Sequence, residues 1–166
     1  FRDLWQRQER VLGGADRDTV GTVNELALLF MQQQKFDQAV PLQERALQEL
    51  RGSLGPDDPD TLQVAMNLGW TYQELGDTPK AEAMTAEALT ESRRVLGNDH
   101  PTTQLAVNNL GVIYNRSGRP ERAEPLYREG LEASRRTLPP NHPDLVPALS
   151  HLAKLYKDSF RVVKPI

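Results

Sequence analysis

Three histidines are the first side chains in this sequence whose type and spacing could do chemistry: His100, His142 and His151. His100 and His142 stand 42 residues apart in the same recurring motif, and Asp58 occupies the matching place 42 residues before His100. A position shared by His100, His142 and Asp58 in the loop before a helix points to a structural role at the helix start. Equivalent residues of stacked helical units lie about 10 Å apart, too far to share one metal ion. His151 follows Ser150 directly, and neighbours on a helix point about 100° apart, so the two do not make a nucleophile and its base.

Without any cysteine the chain has no thiolate nucleophile, no sulfur ligand and no disulfide framework. There is no glycine-rich phosphate loop and no His-x-x-x-His or Glu-x-x-His spacing, and Glu44, Glu49, Glu74, Glu82 and Glu87 are scattered among polar or small residues. The sequence predicts no catalytic residue, no metal site and no cofactor. Arg51, Arg93 and Arg135 form a column at 42-residue steps, with Arg94 and Arg136 beside two of them and Glu9 in the same column upstream. Such a ladder could bind phosphates or an acidic strand, or could simply complement the negative ends of helices.

A formal net charge of −3 gives no global positive field, which argues against nucleic acid and anionic lipid as partners. No apolar run approaches the roughly 20 residues that span a bilayer, and Phe1 to Arg10 do not read as a signal peptide. A cytoplasmic setting is the expectation. The 38% hydrophobic content is low for one deep core, and a chain of repeats that bury only their shared faces accounts for it.

The elements that would position these residues follow from register. Aligning Leu12-Gly13, Leu54-Gly55, Leu96-Gly97 and Leu138-Pro139 sets a period of 42 residues. Thr19, Thr61 and Thr103 then share a column, as do Leu26, Leu68, Leu110 and Leu152; Ala27, Gly69, Gly111 and Ala153; and Phe30, Tyr72, Tyr114 and Tyr156. Apolar and small residues recur at helical spacing twice per period, as in Ala65, Leu68, Gly69 and Tyr72, then Ala81, Met84, Ala88 and Leu89. Between them Gly76-Asp77-Thr78-Pro79 and Gly118-Arg119-Pro120 stop one helix and start the next, and so short a turn makes the pair antiparallel.

Helices are expected at about 18–33, 36–52, 59–75, 79–95, 101–117, 120–137 and 143–158, to within a few residues. The division is 1–11 as the second helix of a truncated repeat, 12–53, 54–95 and 96–137 as three repeats, 138–160 as the first helix of a partial fourth, and 161–166 as a tail. Both ends therefore read as cut faces of a longer protein. Pro41 and Pro125, inside second helices, are expected to bend them.

The small residues at Gly69, Ala81 and Ala88, with Leu68, Tyr72 and Gly76 between them, resemble the tetratricopeptide repeat. The 42-residue step and the Leu-Gly-x-Asp-His-Pro-x-Thr stretch at 96–103 resemble more narrowly the kinesin light chain type of that repeat. The resemblance covers about residues 1–158 and implies an all-α fold, a right-handed superhelical solenoid of antiparallel helix pairs, whose first helices line a concave groove for a protein or peptide. A Lys and Asn clamp for a terminal carboxylate would need Lys or Arg near 24, 28, 66, 70, 108 and 112, and none is there.

On each first helix a second stripe runs about 100° from the repeating one. Its members are Asn24, Leu28 and Met31; Met66, Trp70 and Gln73; Asn108, Val112, Asn115 and Arg116; and Ser150, Lys154 and Lys157. Packing columns must stay alike, whereas a surface that meets a partner is free to vary, so this stripe is the expected binding face, with Trp70 its anchor. The predicted function is a scaffold that binds a peptide segment of a partner. A regulatory or sensor arm of a larger signalling protein, such as a kinase or ATPase, and an architectural spacer that self-associates weakly end to end are the alternatives.

Overall fold

The structure is a computed structural model that describes residues 17–139, His142, Pro143 and 145–162. Among these residues every regular element is helical: α1 (Arg17–Gln32), α2 (Phe36–Ser53), α3 (Pro59–Leu75), α4 (Thr78–Leu96), α5 (Pro101–Arg116), α6 (Pro120–Thr137) and α7 (Leu145–Val162). The expected second helix at 1–11 lies outside the described residues. The last helix starts two residues later than expected and continues to Val162, into the segment read as a tail.

The chain forms two compact units, 1–91 and 92–166, divided within α4. In the first unit α1 packs on α2 and α2 on α3, and in the second α5 packs on α6 and α6 on α7. The first unit buries Val23, Ala27, Ala39, Ala46, Leu47 and Leu50, and the second buries Ala106, Val107, Leu110, Ile113, Ala123 and Leu131. These are the apolar columns of the sequence, so the 42-residue register is a register of packing.

Helix starts and stops follow the sequence signals. Asp58 caps α3 by accepting from Asp60 N at 2.9 Å, and His100 caps α5 with Nδ1 accepting from Thr102 N at 3.2 Å, each followed by a proline in the first turn. At the hairpin turns the backbone turns left-handed, at φ 82° in Gly76 and 73° in Gly118, which lets Asp77 N reach Tyr72 O and Arg119 N reach Tyr114 O, both at 2.9 Å. The matching residue of the first hairpin is Gln34, at φ 58° without glycine's freedom, and Lys35 N still bonds Phe30 O at 2.8 Å.

Helices α2 and α6 run uninterrupted through Pro41 and Pro125. Both prolines are exposed, and the carbonyls that lose a donor belong to Asp37 and Glu121, exposed residues of the first turn where water can serve instead.

Contact between successive helices is closest at the small columns. A Cβ added to Gly69 would lie 2.4 Å from Thr85 Oγ1, and one added to Gly111 would lie 2.6 Å from Tyr127 Cε1. From the tyrosine column, the Tyr72 hydroxyl bonds Glu44 on α2; Tyr156 donates to Glu124 at 2.7 Å and accepts from Arg128 at 2.8 Å, both on α6. Burial first, then the hydrogen bond to Glu44, raises the Tyr72 pKa far above the ordinary phenol value, so this hydroxyl stays a donor.

Candidate peptide-binding face

A first helix packed against a second helix and against its neighbours keeps only a narrow strip open. In α3 the buried residues are Thr61, Leu62, Val64, Ala65, Met66, Leu68, Gly69, Thr71 and Tyr72, which leaves Gln63, Asn67, Trp70 and Glu74 as a half-exposed row at helical spacing, with Gln73 half-exposed beside it. The same columns in α1 are Gly21, Glu25, Leu28 and Gln32, of which only Leu28 is half-buried. In α5 they are Leu105, Asn109, Val112 and Arg116, with Leu105 41% exposed. The open strip is thus rotated by part of a step from the one the sequence suggested.

That rotation corrects two of the expected groove residues and divides the rest. Met66 is 0% exposed and is a core residue of the first unit, because an unbranched apolar side chain in this column fills the space between helices. Met31 turns to the second helix of its own pair, where its Sδ accepts from Gln43 Nε2 at 3.3 Å. Asn24 and Gln73 are half-buried, and their Oδ1 and Oε1 atoms are enclosed without a hydrogen-bond partner among the described residues. Leu28, Trp70, Asn108, Val112 and Asn115 are half-buried, while Arg116, Ser150, Lys154 and Lys157 are exposed. Sequence reasoning missed Gln63, Asn67, Leu105 and Asn109. Their columns vary from repeat to repeat as much as the chosen ones do, and that was the available signal.

The asparagines of the Met66 column, Asn24 and Asn108, each line a recess. In the first unit a cavity of about 240 Å³ is lined by Val20, Gly21, Asn24, Leu50, Asp60, Gln63 and Val64. In the second unit one of about 140 Å³ is lined by Gln104, Asn108, Leu126, Tyr127, Gly130, Ser134 and Ala148. Four of these columns are the same in both, so one repeat position makes both recesses. Gln63 Nε2 donates to Asn67 Oδ1 at 3.2 Å on the rim of the first, which holds two amides side by side next to Trp70. By charge, the strip of the first unit carries Glu25 and Glu74, and that of the second carries Arg116 and Lys154.

The groups first considered for chemistry have structural surroundings. His100 is a helix cap, as above. The ring of His151 stacks on Tyr127, centroids 5.0 Å apart, and burial, then the charge of Lys154, lowers its pKa below the ordinary value. Tyr127 itself is pushed up to about 12 by burial. Among the described residues, no group of three or more His, Asp or Glu is placed to hold a metal, and no helix is long and apolar enough to cross a membrane. Two members of the arginine column form ion pairs with the next second helix: Arg51 Nη2 lies 2.6 Å from Glu87 Oε1, and Arg93 Nη2 lies 2.7 and 2.6 Å from the two carboxylate oxygens of Glu129.

Comparison with known proteins agrees with this architecture. Two family models, both described as Tetratricopeptide repeat, match residues 18–90 and 103–144, together more than half of the chain. No curated protein matches. Among solved structures, BtubC (BKLC) from P. vanneervenii is similar at 25% identity and a TM-score of 0.77 over 87% of this chain, which spans 58% of that protein. Two structures of a Podosopora anserina putative kinesin light chain with nearly identical TPR-like repeats are each 20% identical, with TM-scores of 0.84 and 0.82, over 96% of this chain and 76% of theirs. The likeness shows the fold, that of kinesin-light-chain-like repeats.

Proposed function

We propose that this chain, which belongs to the tetratricopeptide repeat family and is thereby a protein–protein interaction scaffold, captures an extended segment of a partner polypeptide on the open strip of its first helices. The observation that carries this reading is the half-exposed row Gln63, Asn67, Trp70 and Glu74 on a helix otherwise buried on nearly every side. Packing has no use for variation there, and the residue types suit a peptide. Side-chain amides offer a donor and an acceptor each, enough to pair with a peptide backbone without reading its sequence. Trp70 supplies a large apolar surface with a polar edge, the residue type most enriched among binding hot spots.

The strip of each unit then has its own preference. Glu25 in the first favours a basic stretch of peptide, whereas Lys154 in the second favours an acidic one. The groove residues retained from the sequence are Leu28, Trp70, Gln73, Asn108, Val112, Asn115, Arg116 and Lys154, with Asn24 at the mouth of the first recess.

The test is selection of peptides from a random display library on the 166-residue chain, followed by titration of the winners. Trp70→Ala is expected to weaken them by about 2 kcal/mol or more, roughly thirtyfold, with the helical circular dichroism of the free chain unchanged. Equal affinity for the variant would remove the site from this strip.

A further inference from the structure

The two recesses share four repeat columns but not their chemistry. Val20 and Leu50 wall the first where Gln104 and Ser134 stand in the second, and Val64 stands where the second has Ala148. The first is also the larger, about 240 Å³ against 140 Å³. Gly21 forms part of its wall, inside α1 and without the positive φ that would require glycine. A Cβ added there would meet nothing within 4 Å. Glycine weakens a helix interior, so this position gives up helix stability while leaving the recess vacant. The same column carries full side chains in α3 and α5, Gln63 and Leu105. Charge divides the units as sharply. Residues 17–91 hold thirteen Asp and Glu against five Lys and Arg, a net −8, whereas residues 92–162 hold seven against eleven, a net +4. Glu25 is exposed on the strip that runs past Gly21, and the summed field of the first unit favours cations whichever of its carboxylates are paired.

Resting on the reading that a partner segment lies along the open strip, we infer that the first recess takes one aliphatic side chain of that segment, of leucine or isoleucine size, flanked by basic residues. Val20, Leu50 and Val64 give that side chain apolar contact, and the vacancy at Gly21 gives it room. Burial of an aliphatic group is favourable in proportion to the apolar area removed from water. An extended segment turns alternate side chains to opposite faces, so the neighbours of the inserted residue stay in water, where Lys or Arg is drawn to the acidic unit. The second recess, smaller and walled by Gln104 and Ser134, makes a poor seat for the same side chain. The polarity of each recess is therefore set by the residues in shared columns, and the repeat geometry is common to both.

Peptides selected from the random display library on the 166-residue chain test this. Their consensus is expected to hold one Leu or Ile with Lys or Arg among its nearest neighbours, and binding should weaken as salt rises. In the tightest peptide, replacing that Leu or Ile by Ala should weaken binding about tenfold or more. Gly21→Leu puts a side chain of the protein's own into the recess and should weaken the tightest peptide to a similar extent, with the helicity of the free chain intact and its Tm no lower. Against this variant the peptide's change to Ala should cost almost nothing, because the seat is already taken. Trp70→Ala should instead weaken the peptide and its Ala form alike. If Gly21→Leu left affinity unchanged while Trp70→Ala lowered it, the recess would be overturned and the strip would stand; indifference to both would overturn the strip as well. A consensus without an aliphatic residue, or with acidic flanks, would equally sink the inference.

Discussion

Gly111→Ala tests the register of close helix contact with a single methyl group. The added Cβ would sit 2.6 Å from Cε1 and 2.9 Å from Cδ1 of Tyr127. The ring is 4% exposed and its stacking on His151 at 5.0 Å limits retreat, so something must be pushed apart. Overpacking costs about 1–3 kcal/mol, and a held aromatic ring places this case near the upper end. Alanine returns about 1 kcal/mol through its better helix propensity, which leaves a net loss of about 1–2 kcal/mol. For a chain of this size that is a fall in Tm of about 2–8 °C.

The control is Gly21→Ala in α1, where a Cβ meets nothing within 4 Å and the helix gains about 0.5–1 kcal/mol. A second check uses the native pair Ala27 and Gln43, both 0% exposed in the same columns: with Tyr127→Gln in place, Gly111→Ala should cost almost nothing. Thermal and urea unfolding followed by circular dichroism give all four values. If Gly111→Ala matched or exceeded the parent in Tm while Gly21→Ala raised it, the close contact and the register behind it would be wrong.

Two further outcomes follow from local geometry. Gln34→Gly should stabilise the chain by about 0.5–1 kcal/mol in urea unfolding, because Gln34 holds φ 58° in the column where Gly76 and Gly118 sit. His151 has its folded pKa lowered by burial, so the unfolded chain binds more protons there; its contribution is intact above the unfolded value near 6.5 and is lost as pH falls below it. His151→Phe should therefore reduce the drop in Tm between neutral and mildly acidic buffer, and an unchanged drop would place that proton uptake elsewhere.

The sequence by itself determined the period, the pairing of helices and the small contact columns. Repeats that stack must present like surfaces to like neighbours, so Leu26, Leu68 and Leu110 or Gly69 and Gly111 are fixed by the same constraint and show it as identity down a column. Caps and turns were legible for a related reason: Asp58, His100, Gly76 and Gly118 answer to local backbone needs that a few neighbouring residues define. The tertiary structure decided what depends on the rotation and stagger of whole helices. A turn of part of one residue step buries Met66 and opens Gln63 and Asn67, and no periodicity resolves so small an angle. The partners of Arg51 and Arg93 each lie 36 residues on, a spacing that no repeat column reveals because it depends on where an extended guanidinium reaches on the next second helix. Variation along a stripe says only that packing does not constrain it; which varying residue faces outward is set by how the helices lean on one another.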